Sequence, residues 1–375
     1  MFIIGDAIAL TEIKEVLDLE GNLVVEMPDY FGKREGLVKL YGKNGKLRAT
    51  IAFKDDHKNG PETVYWENGK LNIVRHYKDG KLNGVARSYT TDEVLLTERN
   101  YKDDRLNGKY KAFYPNGVEQ VELDYKDEKK NGMLKIYTKS GTLILEQPYV
   151  DDVQEGVARY YHGGNPLKRE IFYAGAREDR GPYHIGQLMA EAPYTNDKRH
   201  GKVKYFYNNG RVEEEQEFKD DKRNGITKYY NKEGRLVNES MCKDSKLNGI
   251  CRSYYDDGMI ESEVPYVDDI REGEASFYDS DGYLRTKRIY KENKRNGKEV
   301  MFYRSGKIEV ERMHIDDEIH DVERVFHENG NICEERQRRN GVKEGMWTVY
   351  DESGKLTARA FFTNGKLDSD WEHFE

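Results

Sequence analysis

"YKDDRLNGKYKAFYPNG", residues 101–117, decides the fold, because close variants of it recur along the chain. "YKDGKLNGVARSYTTDE" begins at Tyr77 and "FKDDKRNGITKYYNKEG" at Phe218. Taking the glycine that closes "NG" or "EG" as an anchor gives Gly36, Gly60, Gly84, Gly108, Gly132 and Gly156, each 24 residues after the last. The series resumes at Gly201, Gly225, Gly249, Gly273 and Gly297, then Asp321 in place of glycine, then Gly345. Self-similarity at a fixed period of this length is the signature of a repeat architecture.

Aromatics keep the same grid. Five residues after the anchors stand Tyr41, Tyr65, Tyr89, Phe113, Tyr137, Tyr161, Phe206, Tyr230, Tyr254, Tyr278, Phe302, Phe326 and Tyr350. A second glycine recurs at position +9 (Gly45, Gly69, Gly117), an aliphatic at +11 (Leu47, Leu71, Leu95) and another aromatic at +17 (Phe53, Tyr77, Tyr101). Between the glycines, segments such as "KYKAFY" are rich in the aromatic residues that favour strands. The +9 glycine supplies the positive φ of a tight reversal. In "LRATIAF", Leu47, Ala49, Ile51 and Phe53 alternate with Arg48 and Thr50, the period of a half-buried strand. A polar connector, typically "KDDKRNG", then turns the chain back. Each unit is therefore expected to be a β-hairpin, with about 14 tandem units forming an all-β, elongated, twisted, single antiparallel meander. At about 4.8 Å per strand such a sheet would run roughly 130–150 Å.

The spacing predicts the +5 aromatic opposite the +11 aliphatic, and the +17 aromatic opposite position +1 of the next unit. It also predicts that +5, +11 and +17 share one face. Residues 1–35 read as an N-terminal capping segment with an atypical first repeat, residues 1–11 lying across its edge. Residues 36–180 are a first block of repeats, 181–200 a shortened, kinked repeat, and 201–375 a second block with a C-terminal cap. In the shortened unit Gly186, Leu188 and Tyr194 take positions +9, +11 and +17, and "HGGNPL" (162–167) replaces the usual turn. At +17 the aromatic gives way to Cys242, His314 and Arg338, which is expected to loosen the stripe locally.

Composition excludes several classes. Charged residues are 35% and the apolar set 36%, too polar for a thick core, yet 28 Tyr argue against a disordered acidic chain. A net charge of −8 is unsuited to binding nucleic acid. "MFIIGDAIAL" lacks the basic region and cleavage site of a signal peptide, and no apolar run is long enough to span a bilayer. Cys242, Cys251 and Cys333 are too few for a disulfide framework, which points to the cytoplasm, with Cys242 and Cys251 facing each other as reduced thiols.

A search for chemistry finds no catalytic set. The nine histidines form no zinc-protease motif or close metal pair, and no phosphate loop or nucleophile elbow appears. Paired acids such as Asp55–Asp56 and Asp103–Asp104 fall in the connectors, where Asp favours turns. No enzyme, cofactor or metal is therefore expected. The candidates for partner contact are the second aromatics at +6, Trp66, Tyr114, Tyr207, Tyr255 and Tyr303, together with Tyr183 and His184 in the irregular segment. The competing reading is partial packing of a two-sided sheet for the +6 aromatics and a tolerated insertion or deletion for the irregular segment.

"YWENGKLNIVRHYKDGKLNG" (65–84) and "YDESGKLTARAFFTNGKL" (350–367) resemble the bacterial variant of the MORN repeat, in which each unit is one hairpin; the resemblance runs from about residue 12 to the end. It implies kinship with YwqK-type antitoxins or immunity proteins, which neutralise a cognate toxin by binding it. The alternative it implies is a structural scaffold or a protein associated with membrane lipid. Lipid attachment ranks lower because the connectors mix both charge signs. The ends of the sheet offer free backbone groups through which a homodimer could form.

Overall fold

The structure is a computed structural model in which residues 12–163 and 184–375 are described. Two compact units divide the chain, Met1–Lys198 and Arg199–Glu375. Within each, strands follow one another in antiparallel order as a meander, and among the described residues there is no helix. In the first unit the strands run from Glu12–Leu17 to Leu188–Thr195, and in the second from Gly201–Phe206 to Glu372–His373.

The Gly36 repeat shows how the sequence builds one unit. Strand Gly36–Tyr41 pairs with Leu47–Lys54 from Gly36↔Phe53 to Leu40↔Ala49. Its turn is closed by Gly42 N donating to Lys46 O (2.9 Å) and Gly45 N to Gly42 O (2.8 Å), with Gly45 at φ +70°. That is a turn finished by a left-handed glycine bulge, one of the common hairpin closures. The second reversal is tighter than "KDDKRNG" suggests. Asp55 (φ 48°) and Asp56 (φ 64°) form a two-residue turn with Lys54 opposite His57. Both residues are left-handed, as a primed hairpin turn requires, and Asp tolerates that region.

This tight connector corrects the expected register. The +17 aromatic lies opposite the residue two before the next anchor (Phe53↔Lys58, Tyr77↔Leu82), not opposite position +1. The anchor glycine then sits in a bulge inside the ladder, where the register shifts between Ile51 and Phe53. A side chain is barred there for two reasons. Gly60 has φ +110°, and a Cβ would lie 3.0 Å from Ala52 Cβ.

The expected single stripe is also corrected. The +5↔+11 pairing holds as Tyr41↔Leu47, but the register shifts between Leu40 and Tyr41, leaving Arg48 without a partner in the ladder. The ladder proper pairs even positions of the first strand with odd positions of the second. Val38, Ile51 and Phe53 consequently form one packed cluster with Val25, Met27 and Leu40. Tyr41 points the other way, to Glu26. Position +17 therefore belongs to a packed face and +5 to the opposite face, because the turn inserts a bulge that sequence spacing does not reveal.

The +17 substitutions do not loosen the packed face. Cys242 is buried and sits 3.9 Å from Thr227 Oγ1, and His314 is buried with Nε2 2.7 Å from Glu299. Arg338 lays its guanidinium 5.6 Å from the Trp347 ring centroid. Cys242, Cys251 and Cys333 are free thiols, and burial, followed by the charge of Cys242, pushes the Cys251 thiol up to about 11.

Of the shortened repeat at 181–200, residues 184–200 are described. Strand Gly156–Tyr161 pairs directly with Leu188–Thr195, from Gly156↔Tyr194 to Tyr161↔Leu188. The +11 partner is thus Leu188 rather than Leu167, which is 21 residues earlier. His162 N donates to Gln187 O (2.8 Å), closing the turn as in other repeats. The pairing follows the strands and not the count of residues between them. Residues 164–183, including Tyr183, and the edge segment 1–11 lie outside the described residues.

Candidate interaction surface

The two faces differ in chemistry. On the face opposite the packed one, the basic residue at +3 pairs with the glutamate at +14 of its own hairpin: Arg87–Glu98 (2.7 Å), Arg159–Glu191 (3.0 Å), Lys228–Glu239 (3.3 Å), Arg252–Glu263 (2.8 Å) and Arg324–Glu335 (2.9 Å). The +5 tyrosine of the next repeat donates to the same glutamate, as in Tyr41–Glu26 (2.9 Å), Tyr161–Glu146 (2.8 Å) and Tyr278–Glu263 (3.2 Å). Burial, then this hydrogen bond, pushes the Tyr161 phenol up to about 12. The Lys39 and Tyr41 hydrogen bonds hold Glu26 below the usual carboxylate range. This ladder face is charged but internally neutralised. Sequence reading missed it, although Lys/Arg at +3 with Glu at +14 repeats visibly through the chain.

The +6 aromatics are half-buried and join successive repeats through the main chain. Tyr114 donates to Tyr137 O (2.9 Å), Tyr207 to Tyr230 O (2.7 Å), Tyr255 to Tyr278 O (2.8 Å) and Tyr303 to Phe326 O (2.6 Å). The Trp66 indole N–H reaches Tyr89 O at 3.3 Å, and His327 Nε2 stands 3.0 Å from Tyr350 O. Their polar atoms serve the array itself. Tyr303→Phe is expected to cost about 1 kcal/mol, the net worth of one such bond, read as a lowered urea midpoint. His184 is exposed in the irregular turn, where its carbonyl accepts from Gln187 N (3.1 Å).

The paired acids of the connectors are joints as well as turn residues. The second Asp accepts the backbone N–H of the preceding connector, as with Asp56–Arg34 N (3.0 Å), Asp104–Leu82 N (2.7 Å) and Asp269–Leu247 N (2.7 Å). The first accepts from an Asn side chain, as Asp151 does from Asn131 (3.0 Å). Asp56 and Asp317 are held below the usual carboxylate range, chiefly by the backbone N–H of Arg34 and Arg295. Among the described residues no group of His, Cys, Asp and Glu side chains is placed to hold a metal ion.

On the ladder face, a row of apolar side chains stays exposed at positions +1 and +16. Leu37, Val157 and Ile250 occupy +1, and Met241, Met313 and Phe361 occupy +16. These positions face each other across each hairpin, as in Ile226↔Met241 and Met346↔Phe361. None of them was among the residues singled out from the sequence. They alternate with charged residues along the row, and only the pairing shows that they adjoin.

Hairpins repeating every 24 residues, several of them stapled to a neighbour by a +6 side chain or a connector Asp, define a tandem β-hairpin repeat protein. The family of these units follows from comparison. The model of the MORN repeat variant matches residues 34–55, 58–79, 106–127, 199–220, 247–268 and 343–364, so the chain carries MORN-type repeats at these places. No curated protein matches it. Among solved structures it is similar to the TcdB2–TccC3–Cdc42 crystal structure, at 10% identity and a TM-score of 0.16, covering 95% of this chain and 24% of that one. It is likewise similar to the Photorhabdus luminescens Tc holotoxin pore, at 12% identity and a TM-score of 0.16, covering 94% of this chain and 23% of that one. The chain thus spans about a quarter of those chains, and likeness at such TM-scores carries no argument.

Proposed function

We propose that this chain is a non-catalytic binding protein that engages a protein partner through its ladder face, and that the partner is a toxin it neutralises. The observation that carries the reading is the exposed apolar row at +1 and +16, bordered by ion pairs already satisfied within the sheet. Apolar contacts surrounded by neutral polar pairs favour a protein surface, where burial of side chains supplies the affinity. The toxin assignment is supported by the sequence resemblance to antitoxin and immunity proteins. Co-expression with the product of the adjacent gene should restore growth and give a complex that survives purification. No complex together with no rescue would remove the toxin assignment.

Among the described residues no helix is long and apolar enough to cross a membrane. Lysines of the connectors are interleaved with Asp, as in Lys33–Asp55 (3.1 Å) and Lys222–Asp244 (3.4 Å). Vesicles of anionic lipid are accordingly expected to leave the protein unbound in flotation at low salt, where basic surfaces bind most strongly.

A further inference from the structure

Two connectors carry apolar residues on both sides of their two-residue turn. Six others place a basic residue on each side, Lys78/Lys81, Lys102/Arg105, Lys126/Lys129, Lys219/Lys222, Lys243/Lys246 and Lys291/Lys294. "PYVDDVQEG" (148–156) and "PYVDDIREG" (265–273) instead carry Val150/Val153 and Val267/Ile270, with proline at +16 and glutamate before the anchor. The flanking residues pair across the turn, Val150↔Val153 and Val267↔Ile270. Val150 and Val267 are each about half exposed, at 52% and 51%.

Each connector extends the apolar row into a patch. In the first unit, Pro148 lies two residues before Val150 on one strand face and pairs with Met133, and the adjoining strand brings Val157↔Pro193 alongside. Gly156 keeps these strands close, since a Cβ there would sit 3.2 Å from Pro148 Cγ. In the second unit Ile250↔Pro265 and Val267↔Ile270 adjoin the preceding pair Ile226↔Met241, while Glu274 stands where Val157 does in the first. Gly249 passes Met241 with only 3.1 Å left for a Cβ. Isolated exposed apolar residues are ordinary, but contiguous ones rimmed by polar groups mark interaction sites.

The rims are acidic. Asp151, Asp152 and Glu155 border the first patch and Asp268, Asp269 and Glu272 the second, all exposed. These carboxylates accept neutral N–H donors, as Asp152 does from Lys130 N (2.9 Å), Glu155 from Asn196 N (3.0 Å) and Asp269 from Leu247 N (2.7 Å), and among the described residues none of the six forms an ion pair with a Lys, Arg or His side chain. Loss of the flanking lysines thus removes positive charge and adds apolar surface at the same two places. A second copy of the chain meeting patch to patch would oppose acid with acid, and an anionic bilayer would be repelled.

We infer that the two patches are docking stations, each taking a partner-protein segment in which apolar side chains alternate with Lys or Arg. This rests on the protein-binding reading and specifies the chemistry of the partner. The probe is a short capped peptide of alternating leucine and lysine, titrated by calorimetry, with a serine–lysine peptide as control. Two equivalents should bind per chain. V150K/V153K and V267K/I270K should each remove one, and the quadruple variant should weaken binding about tenfold or more. Lysine stands at both positions in other repeats, so the variants should keep the wild-type circular dichroism and unfolding midpoint.

Undiminished binding to the quadruple variant, or equal binding of the serine–lysine peptide, would overturn the inference. Peptide-independent self-association lost in the variant would also overturn it, naming a second copy as occupant. Carried into the co-expression assay, the quadruple variant separates the two claims. A complex that forms with the wild type and persists unchanged in the variant overturns the patches and leaves the binding reading standing.

Discussion

Glu299→Gln is expected to destabilise the Arg199–Glu375 unit by about 3–5 kcal/mol at neutral pH, the cost of breaking a buried ion pair from one side. Glu299 is 1% exposed, and both its carboxylate oxygens are engaged. Arg288 approaches Oε1 at 2.7 Å, while Arg312 Nε and His314 Nε2 each lie 2.7 Å from Oε2. The network continues from Arg312 to Glu323 (3.4 Å) and from Glu323 to Arg336 (2.9 Å). An amide in place of the carboxylate would leave two partly buried guanidinium groups without their shared countercharge and would set its own NH2 against donors. Urea denaturation followed by circular dichroism measures the loss. A variant as stable as wild type would show the network to be dispensable.

The same residue sets an acid response. Burial opposes ionisation of Glu299, but the Arg312, His314 and Arg288 interactions outweigh it and hold the carboxyl at about 2, against an ordinary 4.5. A carboxyl depressed on folding stabilises fully above its unfolded value and loses that stabilisation as pH falls through the folded one. The wild type should therefore shed about 3 kcal/mol from this group between about pH 4.5 and 2, and Glu299→Gln should lack that segment of the curve. Glu62 is depressed in the same sense, with Arg75 and Lys58 outweighing its burial.

Gly60→Val should cost about 2–4 kcal/mol, combining left-handed backbone strain with overpacking. Its φ is +110°, and the added Cβ would lie 3.0 Å from Ala52 Cβ, an atom fixed to a neighbouring strand. The chain supplies its own control, because Asp321 occupies the equivalent anchor at φ 67°. Gly60→Asp should accordingly cost less than Gly60→Val, since Asp tolerates the left-handed region and a β-branched residue does not. Equal costs would mean that the clash alone governs the position. The measurement is the shift in urea midpoint at constant slope.

How legible was all this in one sequence? The hairpin and its period were, because a turn glycine and alternating side chains are local signals. The +5↔+11 pairing was legible for the same reason. The distribution of the aromatic rows between faces was not, since it hinges on a bulge at Leu40/Tyr41 that changes which side chains align without changing any spacing. The buried ion pairs left a trace that could have been read. Glu at +2 occurs with Arg at +15 in Glu62/Arg75, Glu299/Arg312 and Glu323/Arg336, and these positions lie opposite each other in the sheet. The two connectors flanked by apolar residues were equally visible as words, but nothing in the words says that Pro148, Val150 and Val157 adjoin.

By itself, then, the sequence determined a tandem array of β-hairpins and its 24-residue grid, because each reversal is written in residues that accept positive φ and each strand in its own alternation. Tertiary structure alone decided the register across the connectors, the assignment of 188–200 to the hairpin begun at Gly156, and the separation of a packed face from a ladder face. The physical reason is that turns are chosen by a few adjacent residues, whereas face and register follow from hydrogen bonds between strands, and one bulged residue transfers every later side chain to the other side.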